Sequence, residues 1–236
     1  MKIRFAQYLQ LERSLSGNSL EAYLDDVSKL ERFTGNLPGK PGPEDLSASQ
    51  LGDFSAYLSA VGLAPSSQSR VISGIKAFYK FLVLENEIAA SPAELLEAPR
   101  AGRKLPDFLN VDEIMGMLAA ADRSTPEGER NSTIIEVLYG CGLRVSELTA
   151  LRISDLHINE EYLKVTGKGN KERLVPLGRP AIKSLQNYLQ YVRPGIPVKK
   201  EHADFVFLNR RGTKLSRVMV FYIIGRWLKK QGSGKN

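Results

Sequence analysis

The sequence predicts two domains: an N-terminal all-α domain of four helices, then a mixed α+β, mainly helical domain with a small antiparallel β-sheet. The length of 236 residues is enough for two separate hydrophobic cores. Throughout the first hundred residues, apolar side chains recur at intervals of three and four, which is the helical spacing. Later, two short strand-like runs, 162–166 and 173–177, flank a Gly-rich turn, a pattern typical of a β-hairpin.

Four helices are expected before residue 100. The second begins at Asn18 in this prediction, because Asn18 and Glu21 have the spacing of a capping box. The fourth is expected from about Ser66 to Glu85. The apolar residues at helical spacing are Phe5, Tyr8 and Leu9 in the first helix, Leu20, Tyr23, Leu24, Val27, Leu30 and Phe33 in the second, Leu51, Phe54, Leu58 and Val61 in the third, and Val71, Ile75, Phe78 and Leu82 in the fourth.

The fourth helix also has a polar face, formed by Arg70, Ser73, Lys76 and Lys80 at spacings of three or four. A face of this kind is the ordinary solvent side of an amphipathic helix. By itself it does not indicate a binding site.

The boundary between the domains is expected near residue 100. Residues 99–109 combine two prolines with small and basic residues, which is typical of an extended linker. The predicted domains are therefore 1–98 and 110–236. Asn110 and Glu113 have capping-box spacing at the start of the second domain.

Further elements are expected in the second domain. A helix from about Asn131 to Tyr139 is expected to be buried, since Ile134, Ile135, Val137 and Leu138 make it too apolar for a surface element. Two later helices are expected at 180–192 and 216–230, with a strand-like run at 204–208. Tyr222, in the last helix, is expected to be a buried or half-buried packing residue.

The charge is unevenly distributed along the chain. The net charge is +7, but residues 1–100 carry 10 Lys and Arg against 12 Asp and Glu, whereas residues 165–236 carry 16 against 3. So basic a segment favours a polyanionic partner, with nucleic acid as the default. A basic surface that only maintains solubility is the alternative.

Composition also limits the compartment and the chemistry. There is no run of 18 apolar residues and no signal-peptide pattern at the N-terminus, so we expect a cytoplasmic protein. Cys141 is the single cysteine, which excludes an intrachain disulfide. His157 and His202 are far apart and share no ligand spacing, so no metal site is expected.

Two short motifs are the most informative part of the sequence. Residues 142–148, Gly-Leu-Arg-Val-Ser-Glu-Leu, place Glu147 three positions after Arg144 at the start of an apolar helical pattern. Residues 167–173, Gly-Lys-Gly-Asn-Lys-Glu-Arg, place Lys168 in the turn of the predicted hairpin. Arginine offers a planar, bidentate fork to phosphate oxygens, and lysine can donate a proton to a leaving oxygen. Together the motifs predict half of a phosphoryl-transfer site, although Arg-x-x-Glu alone is usually an ordinary helix pair.

The two motifs, with the continuation of the second to Gly178, resemble the Xer group of tyrosine site-specific recombinases. The similarity extends over nearly the whole chain, through Phe-Val-Phe-Leu-Asn-Arg-Arg-Gly at 205–212. It implies that the helical domain is a SAM-like core-binding domain and that the mixed domain is catalytic. Such enzymes cleave DNA by attack of a tyrosine hydroxyl on the backbone phosphate, which leaves a 3′-phosphotyrosyl link and requires no metal or cofactor.

The resemblance also implies roles for individual residues. Arg144 would stabilise the phosphorane-like transition state, Lys168 would be the general acid, and Glu147 would be the supporting carboxylate. The implied partners are double-stranded DNA and a second recombinase protomer, within a tetramer on DNA; no membrane is involved. The expected DNA contacts are Arg70, Ser73, Lys76 and Lys80 on the fourth helix, and Lys171 and Arg173 beside the turn, where a merely solvated hairpin is an equal alternative.

After residue 212 the sequence departs from the family pattern, which continues with a His-x-x-Arg motif and then the nucleophilic tyrosine. Neither His157 nor His202 is followed by an arginine three positions later, and no tyrosine follows Tyr222. Because Tyr222 lies inside the apolar pattern of the last helix, we expect no nucleophile in this chain. The expectation is a catalytic domain that is incomplete at its C-terminus, in a truncated recombinase that binds DNA without cleaving it.

Three functional hypotheses stay open. The first is a tyrosine recombinase, and the second is a DNA-binding remnant or regulator without catalysis. The third is an RNA-binding or RNA-processing protein, for which no RRM signature is visible. Within the first, a chromosome-dimer-resolving Xer protein is favoured over the integrase of a mobile element, because the chain begins directly with its core-binding helices.

Overall fold

The computed structural model describes residues 1–100, 102 and 108–230. The chain divides into two compact units, Met1–Leu105 and Pro106–Asn236, which we call the helical unit and the mixed unit. Most of the linker expected at 99–109 lies outside the described residues, so its conformation stays a prediction. Among the helices of the described ranges, none combines the length and apolarity needed to cross a membrane.

The helical unit contains the four predicted helices. They are α1 (Lys2–Leu11), α2 (Gly17–Thr34), α3 (Ala48–Ala60) and α4 (Pro65–Leu84). Their buried side chains include Phe5, Leu9, Val27, Leu30, Phe33, Leu51, Phe54, Leu58, Val71, Ile75, Phe78 and Leu82, which pack into one core. The periodicity of the sequence is thus confirmed. Val61 lies just past the end of α3 and is exposed.

The start of α2 differs from the prediction. Ser16 is the N-cap, in extended conformation, and the helix begins at Gly17. Asn18 is already helical, and a residue in that conformation cannot occupy the extended N-cap position that a capping box requires. The capping box expected at Asn18 is therefore wrong.

A buried carboxylate joins α2 to α4. The Asp26 side chain is completely buried, and Arg70 donates to both of its oxygens, with 2.8 Å between Nη1 and Oδ2. Gly74, one turn after Arg70, packs directly against the same carboxylate: a Cβ atom at this position would lie 2.1 Å from Oδ2. Burial raises the pKa of Asp26, and the Arg70 guanidinium opposes that change.

The mixed unit combines helices with a three-stranded antiparallel sheet of order β1-β2-β3. Its elements are α5 (Val111–Ala119), α6 (Pro126–Cys141), α7 (Val145–Ala150), β1 (Leu156–His157), β2 (Tyr162–Thr166), β3 (Glu172–Pro176), α8 (Arg179–Asn187) and α9 (Arg217–Lys230). A π-helical turn, Tyr188–Val192, continues α8. The predicted fold class, helical with a small antiparallel sheet, is confirmed.

The α6 and α5 helices agree with the sequence in two further respects. Ile134, Ile135 and Val137 are buried, as the apolar pattern predicts, although α6 begins at Pro126 rather than near Asn131. The capping box of α5 is present: the Glu113 backbone N–H donates to Asn110 Oδ1, and the Asn110 N–H donates to Glu113 Oε2, both at 2.8 Å.

Two expectations for the end of the mixed unit are wrong. Residues 204–208 form no strand; Phe205 and Leu208 make isolated bridges to two different segments, so no continuous ladder can develop. Tyr222 is 74% exposed rather than buried. The buried stripe of α9 is formed by Val220, Ile223 and Trp227, and this spacing places Tyr222 outside it.

Gly74→Ala tests the close approach of α2 and α4. The added methyl group would force the Asp26 carboxylate out of the Arg70 fork, and we expect the free energy of unfolding of the helical unit to fall by about 1–3 kcal/mol. Amide hydrogen exchange of α2 and α4 in the intact chain measures this loss of protection.

Gly52→Ala is the matched control, because nothing lies within 4 Å of a Cβ at this helical glycine in α3. It should leave protection unchanged or raise it slightly, since alanine favours a helix by about 0.5–1 kcal/mol. Equal protection in the Gly74→Ala variant and the parent chain would contradict the tight packing described above.

Candidate phosphate-binding site

A sharp corner between α6 and α7 places Arg144. Gly142 follows α6 with φ +57° and ψ +36°, a left-handed conformation that a residue with a side chain adopts only with strain. The next residue, Leu143, is buried, and its N–H donates to Leu138 O. The chain then becomes extended at Arg144, which is the N-cap of α7 and has a side chain that is 69% exposed.

Glu147 holds the centre of the site. Its side chain is only 3% exposed. It accepts from Arg144 twice, Oε1 from the Nη1 of the guanidinium and Oε2 from the backbone N–H, both at 2.8 Å. Arg144 and Glu147 therefore pair as in a capping box, with the carboxylate folded back over the start of α7.

The same carboxylate also receives Arg173 from β3. Arg173 Nη1 donates to Glu147 Oε1 and Nη2 donates to Oε2, both at 2.8 Å, in a parallel bidentate pair. Arg173 faces Val165 in the sheet register, and Val175, two positions on, is buried, so the two side chains share one face of β3. The Arg173 side chain is 40% exposed.

These bonds shift the acidity of the group that accepts them. Hydrogen bonds from Arg173, then from the Arg144 backbone and side chain, lower the pKa of Glu147 to about 2, and burial only partly opposes them. Glu147 is therefore a fixed negative charge at any physiological pH. The carboxylate in turn raises the pKa of Arg173.

The turn between β2 and β3 carries the predicted general acid. Lys168–Asn170 form a short turn in which Gly169 and Asn170 both have positive φ, and the Gly167 N–H donates to Lys171 O at 2.7 Å. This confirms that Lys168 stands in the hairpin turn, although its side chain is outside what the structure describes. Lys171 is exposed beside the turn.

The arrangement has the charge and geometry to bind a phosphate. Two guanidinium groups surround one buried carboxylate, so a net positive charge remains at the surface where Arg144 is exposed. Lys168 and Lys171 add further positive charge, since both lie in or beside the hairpin turn just before Arg173. Fixed donors of this kind stabilise charge that develops on phosphate oxygens without rearranging during the reaction.

The polar face of α4 lies at the surface of the helical unit, as expected. Arg70, Ser73, Lys76 and Lys80 are all exposed. The Arg70 fork is bound to Asp26, the Ser73 hydroxyl donates to Ser69 O at 2.9 Å, and Lys76 Nζ donates to Glu94 O at 3.3 Å. This face belongs to the helical unit, whereas the cluster of Arg144, Glu147 and Arg173, which we call the Arg144 cluster, belongs to the mixed unit.

Sequence reasoning missed the role of Arg173 as the second partner of Glu147. The two residues are 26 positions apart, on β3 and α7. The available signal was that Arg173 shares a strand face with the apolar residues Val175 and Leu177, where a charged side chain is favoured by an acidic partner.

Comparison with known proteins gives consistent matches over both units. The profile of the phage integrase family matches residues 107–236, and that of the phage integrase N-terminal SAM-like domain matches residues 3–86. Tyrosine recombinase XerD of Listeria monocytogenes serotype 4b (strain F2365) is 34% identical over 231 residues, which are 98% of this chain and 78% of that protein. Tyrosine recombinase XerD of Chlorobaculum tepidum (strain ATCC 49652 / DSM 12025 / NBRC 103806 / TLS) is 38% identical over 223 residues, 93% of this chain and 72% of that protein.

A solved structure shares the fold. The XerH site-specific recombinase bound to palindromic difH substrate, a post-cleavage complex, superposes with a TM-score of 0.75 at 20% identity. The match covers 99% of this chain and 68% of that one.

Glu147→Gln should destabilise the mixed unit. The neutral amide loses the charge-assisted bonds from both arginines, and we expect the free energy of unfolding to fall by about 2 kcal/mol. Trp227 is the single tryptophan and is buried in this unit, so its fluorescence in urea reports the loss. Glu172→Gln, at an exposed partner of Lys164 on the same hairpin, is the control and should change stability by less than about 1 kcal/mol. Equal losses in the two variants would contradict a central role for Glu147.

The low pKa of Glu147 also predicts a dependence of stability on pH. A carboxylate with a lowered pKa in the folded state contributes stability above its ordinary pKa, and loses this contribution as pH falls through the folded-state value. The mixed unit should therefore weaken as pH falls from about 4.5 towards about 2. The Trp227 transition of Glu147→Gln should have a smaller slope against pH in this window. Parallel slopes for the variant and the parent chain would show that Glu147 is not held ionised as described.

Proposed function

This chain belongs to the phage integrase family, and on that premise we propose that it is an Xer-type site-specific DNA recombinase chain that binds duplex DNA and holds a backbone phosphate at the Arg144 cluster. Homologous tyrosine recombinases over nearly the full chain support the recombination class. The main support for the site is the buried carboxylate of Glu147, which accepts hydrogen bonds from Arg144 and Arg173 at 2.8 Å.

Arg144 is the proposed direct contact to the phosphate in this account. Its guanidinium is oriented from one side by Glu147, while most of its side chain is exposed. Lys168, in the adjoining hairpin turn, is proposed as the general acid that protonates the departing oxygen, and Lys171 as a further phosphate contact. Because the chemistry exchanges one phosphate ester for another, the residues need only supply charge, a proton and alignment.

The helical unit is proposed to contact the duplex with the exposed face of α4. The exposed residues of that face are Arg70, Ser73, Lys76 and Lys80. Phosphate contacts are favoured over base contacts, because cationic and hydroxyl side chains are the usual partners of phosphate oxygens. XerH, a site-specific recombinase of the same fold, is bound to its palindromic difH substrate, and this supports the proposal that the chain binds a recombination site. A second recombinase protomer on the same DNA and a cytoplasmic location are proposed on the same family grounds, as is a role in resolving chromosome dimers.

We further propose that these 236 residues bind DNA without cleaving it. The sequence has no His-x-x-Arg motif and no tyrosine after Tyr222, so a second arginine and a nucleophile of the family pattern are missing from it. Tyr222 is exposed on α9, where it lines a cavity of about 830 Å³ with Arg130, Arg210 and Arg226.

A non-catalytic DNA-binding remnant or regulator is the second candidate function. It is favoured by the same missing residues, and it predicts the same binding without cleavage for this chain. The integrase of a mobile element is a further alternative within the recombinase class; the XerD relatives favour the Xer assignment.

Duplex binding with a steep salt dependence tests the proposed function. Fluorescence anisotropy with a labelled duplex should show affinity that falls as salt rises, and weaker binding of the corresponding single strand. Arg144→Gln should lower duplex affinity by roughly tenfold, since it removes a charge-assisted phosphate contact. Glu172→Gln serves as the control that leaves the cluster intact. A chain that prefers single-stranded RNA, or an Arg144→Gln variant that binds as the parent does, would overturn the assignment.

A suicide substrate tests the absence of cleavage. A nicked duplex that releases the short fragment on attack traps any covalent protein–DNA adduct, which denaturing electrophoresis detects. We expect no adduct from this chain. An adduct that disappears in Tyr222→Phe would show that Tyr222 is the nucleophile, contrary to the proposal.

A further inference from the structure

The fork of Arg173 is directed to a protein carboxylate instead of to solvent. Both of its terminal nitrogens donate to Glu147, one to each oxygen, at 2.8 Å. The two bonds fix the plane of the guanidinium against the carboxylate, although the other N–H groups of Arg173 stay available and its side chain is 40% exposed. Arg173 therefore has a role within the cluster, whether or not it also contacts a phosphate.

Arg173 connects two elements that carry different parts of the site. Arg144 and Glu147 belong to α7, whereas Lys168 belongs to the turn that precedes β3. The base of this turn lies against the ion cluster: a Cβ atom at Gly167 would lie 3.5 Å from both Arg173 Nη1 and Glu147 Oε1. A displacement of the hairpin would therefore disturb the bonds of Glu147, and through them the Arg144 fork.

We propose that Arg173 is a positioning residue, which acts through Glu147 to align Arg144 with the hairpin turn that carries Lys168. The inference rests on the proposed function, in which Arg144 binds the phosphate, and adds a residue whose effect on that phosphate is indirect. With Arg173 in place, Glu147 is neutralised by two arginines and holds Arg144 by a single side-chain bond from Nη1. Without Arg173, the uncompensated carboxylate would draw the Arg144 fork inward and away from the phosphate.

An arginine is required here because of geometry as well as charge. The planar guanidinium spans both oxygens of one carboxylate, whereas a lysine ammonium is a point charge that can satisfy only part of that arrangement. Lysine at position 173 would keep the charge of the hairpin but would lose the alignment.

A double-mutant cycle on duplex affinity separates the indirect role from a direct one. Arg173→Gln should lower affinity by roughly tenfold in the parent chain, but by less than about twofold in the Glu147→Gln background, because the residue through which it acts is gone. A direct phosphate contact would instead cost the same factor in both backgrounds. Lys171→Gln, the same loss of charge on the same hairpin, is the matched control and should give equal factors in the two backgrounds.

Arg173→Lys provides a second variant in case the glutamine variant folds poorly. If Arg173 is a positioning residue, the Arg173→Lys variant should recover less than half of the affinity that Arg173→Gln loses, on a logarithmic scale. The slope of log affinity against log salt should stay unchanged. Full recovery by lysine would indicate a point-charge contact with phosphate and would overturn the proposal. Trp227 fluorescence verifies that each variant is folded under the conditions of measurement.

A measurement without DNA keeps this inference separate from the proposed function. In the NMR spectrum of the free chain, Arg173→Gln should shift the Arg144 Nε–H resonance and raise the titration midpoint of Glu147, whereas Lys171→Gln should change neither. If the parent chain fails to bind duplex DNA but these shifts appear, the proposed function fails and the positioning role stands. Unchanged Arg144 and Glu147 signals in Arg173→Gln would overturn the positioning role, whatever the chain binds.

Discussion

The buried carboxylate of Glu147 is the interaction on which the rest of the candidate site depends. An unpaired charge at 3% exposure would be strongly destabilising, so Glu147 requires the cations around it. Arg144 and Arg173 satisfy it from two different elements, and the Arg144 backbone N–H completes the set. One acid thus fixes the start of α7, the position of β3 and the direction of an exposed guanidinium.

The helical unit also contains a buried carboxylate that is bound by an arginine, here within a contact between two helices. Asp26 is completely buried in the contact between α2 and α4, and the Arg70 fork closes over it from the solvent side. Gly74 permits the close approach that makes this pairing possible. Arg70 is therefore both a structural partner of Asp26 and a member of the exposed α4 face, so its substitution would change packing and surface charge together.

Local patterns predicted most of the fold and the identity of the motif residues. Helical periodicity identified the core of the helical unit, and the capping box at Asn110 depends only on residues three apart. Arg173 could not be paired with Glu147 in this way, because that contact depends on the sheet register and on the placing of α7, 26 positions away. Tyr222 was misjudged because α9 has apolar residues on two adjacent stripes, and periodicity does not say which stripe meets the core. Asp26 went unnoticed because aspartate is seldom fully buried.

We propose that the Arg144 cluster holds a backbone phosphate while Glu147 keeps the Arg144 guanidinium aligned. A crystal structure of this chain with a short duplex would show the phosphate itself. We expect a phosphate oxygen within hydrogen-bond distance of the Arg144 guanidinium, with the Arg173 fork still bound to both oxygens of Glu147. A duplex bound elsewhere on the chain, with Arg144 facing solvent, would contradict it, as would an Arg173 that leaves Glu147 to bind the phosphate.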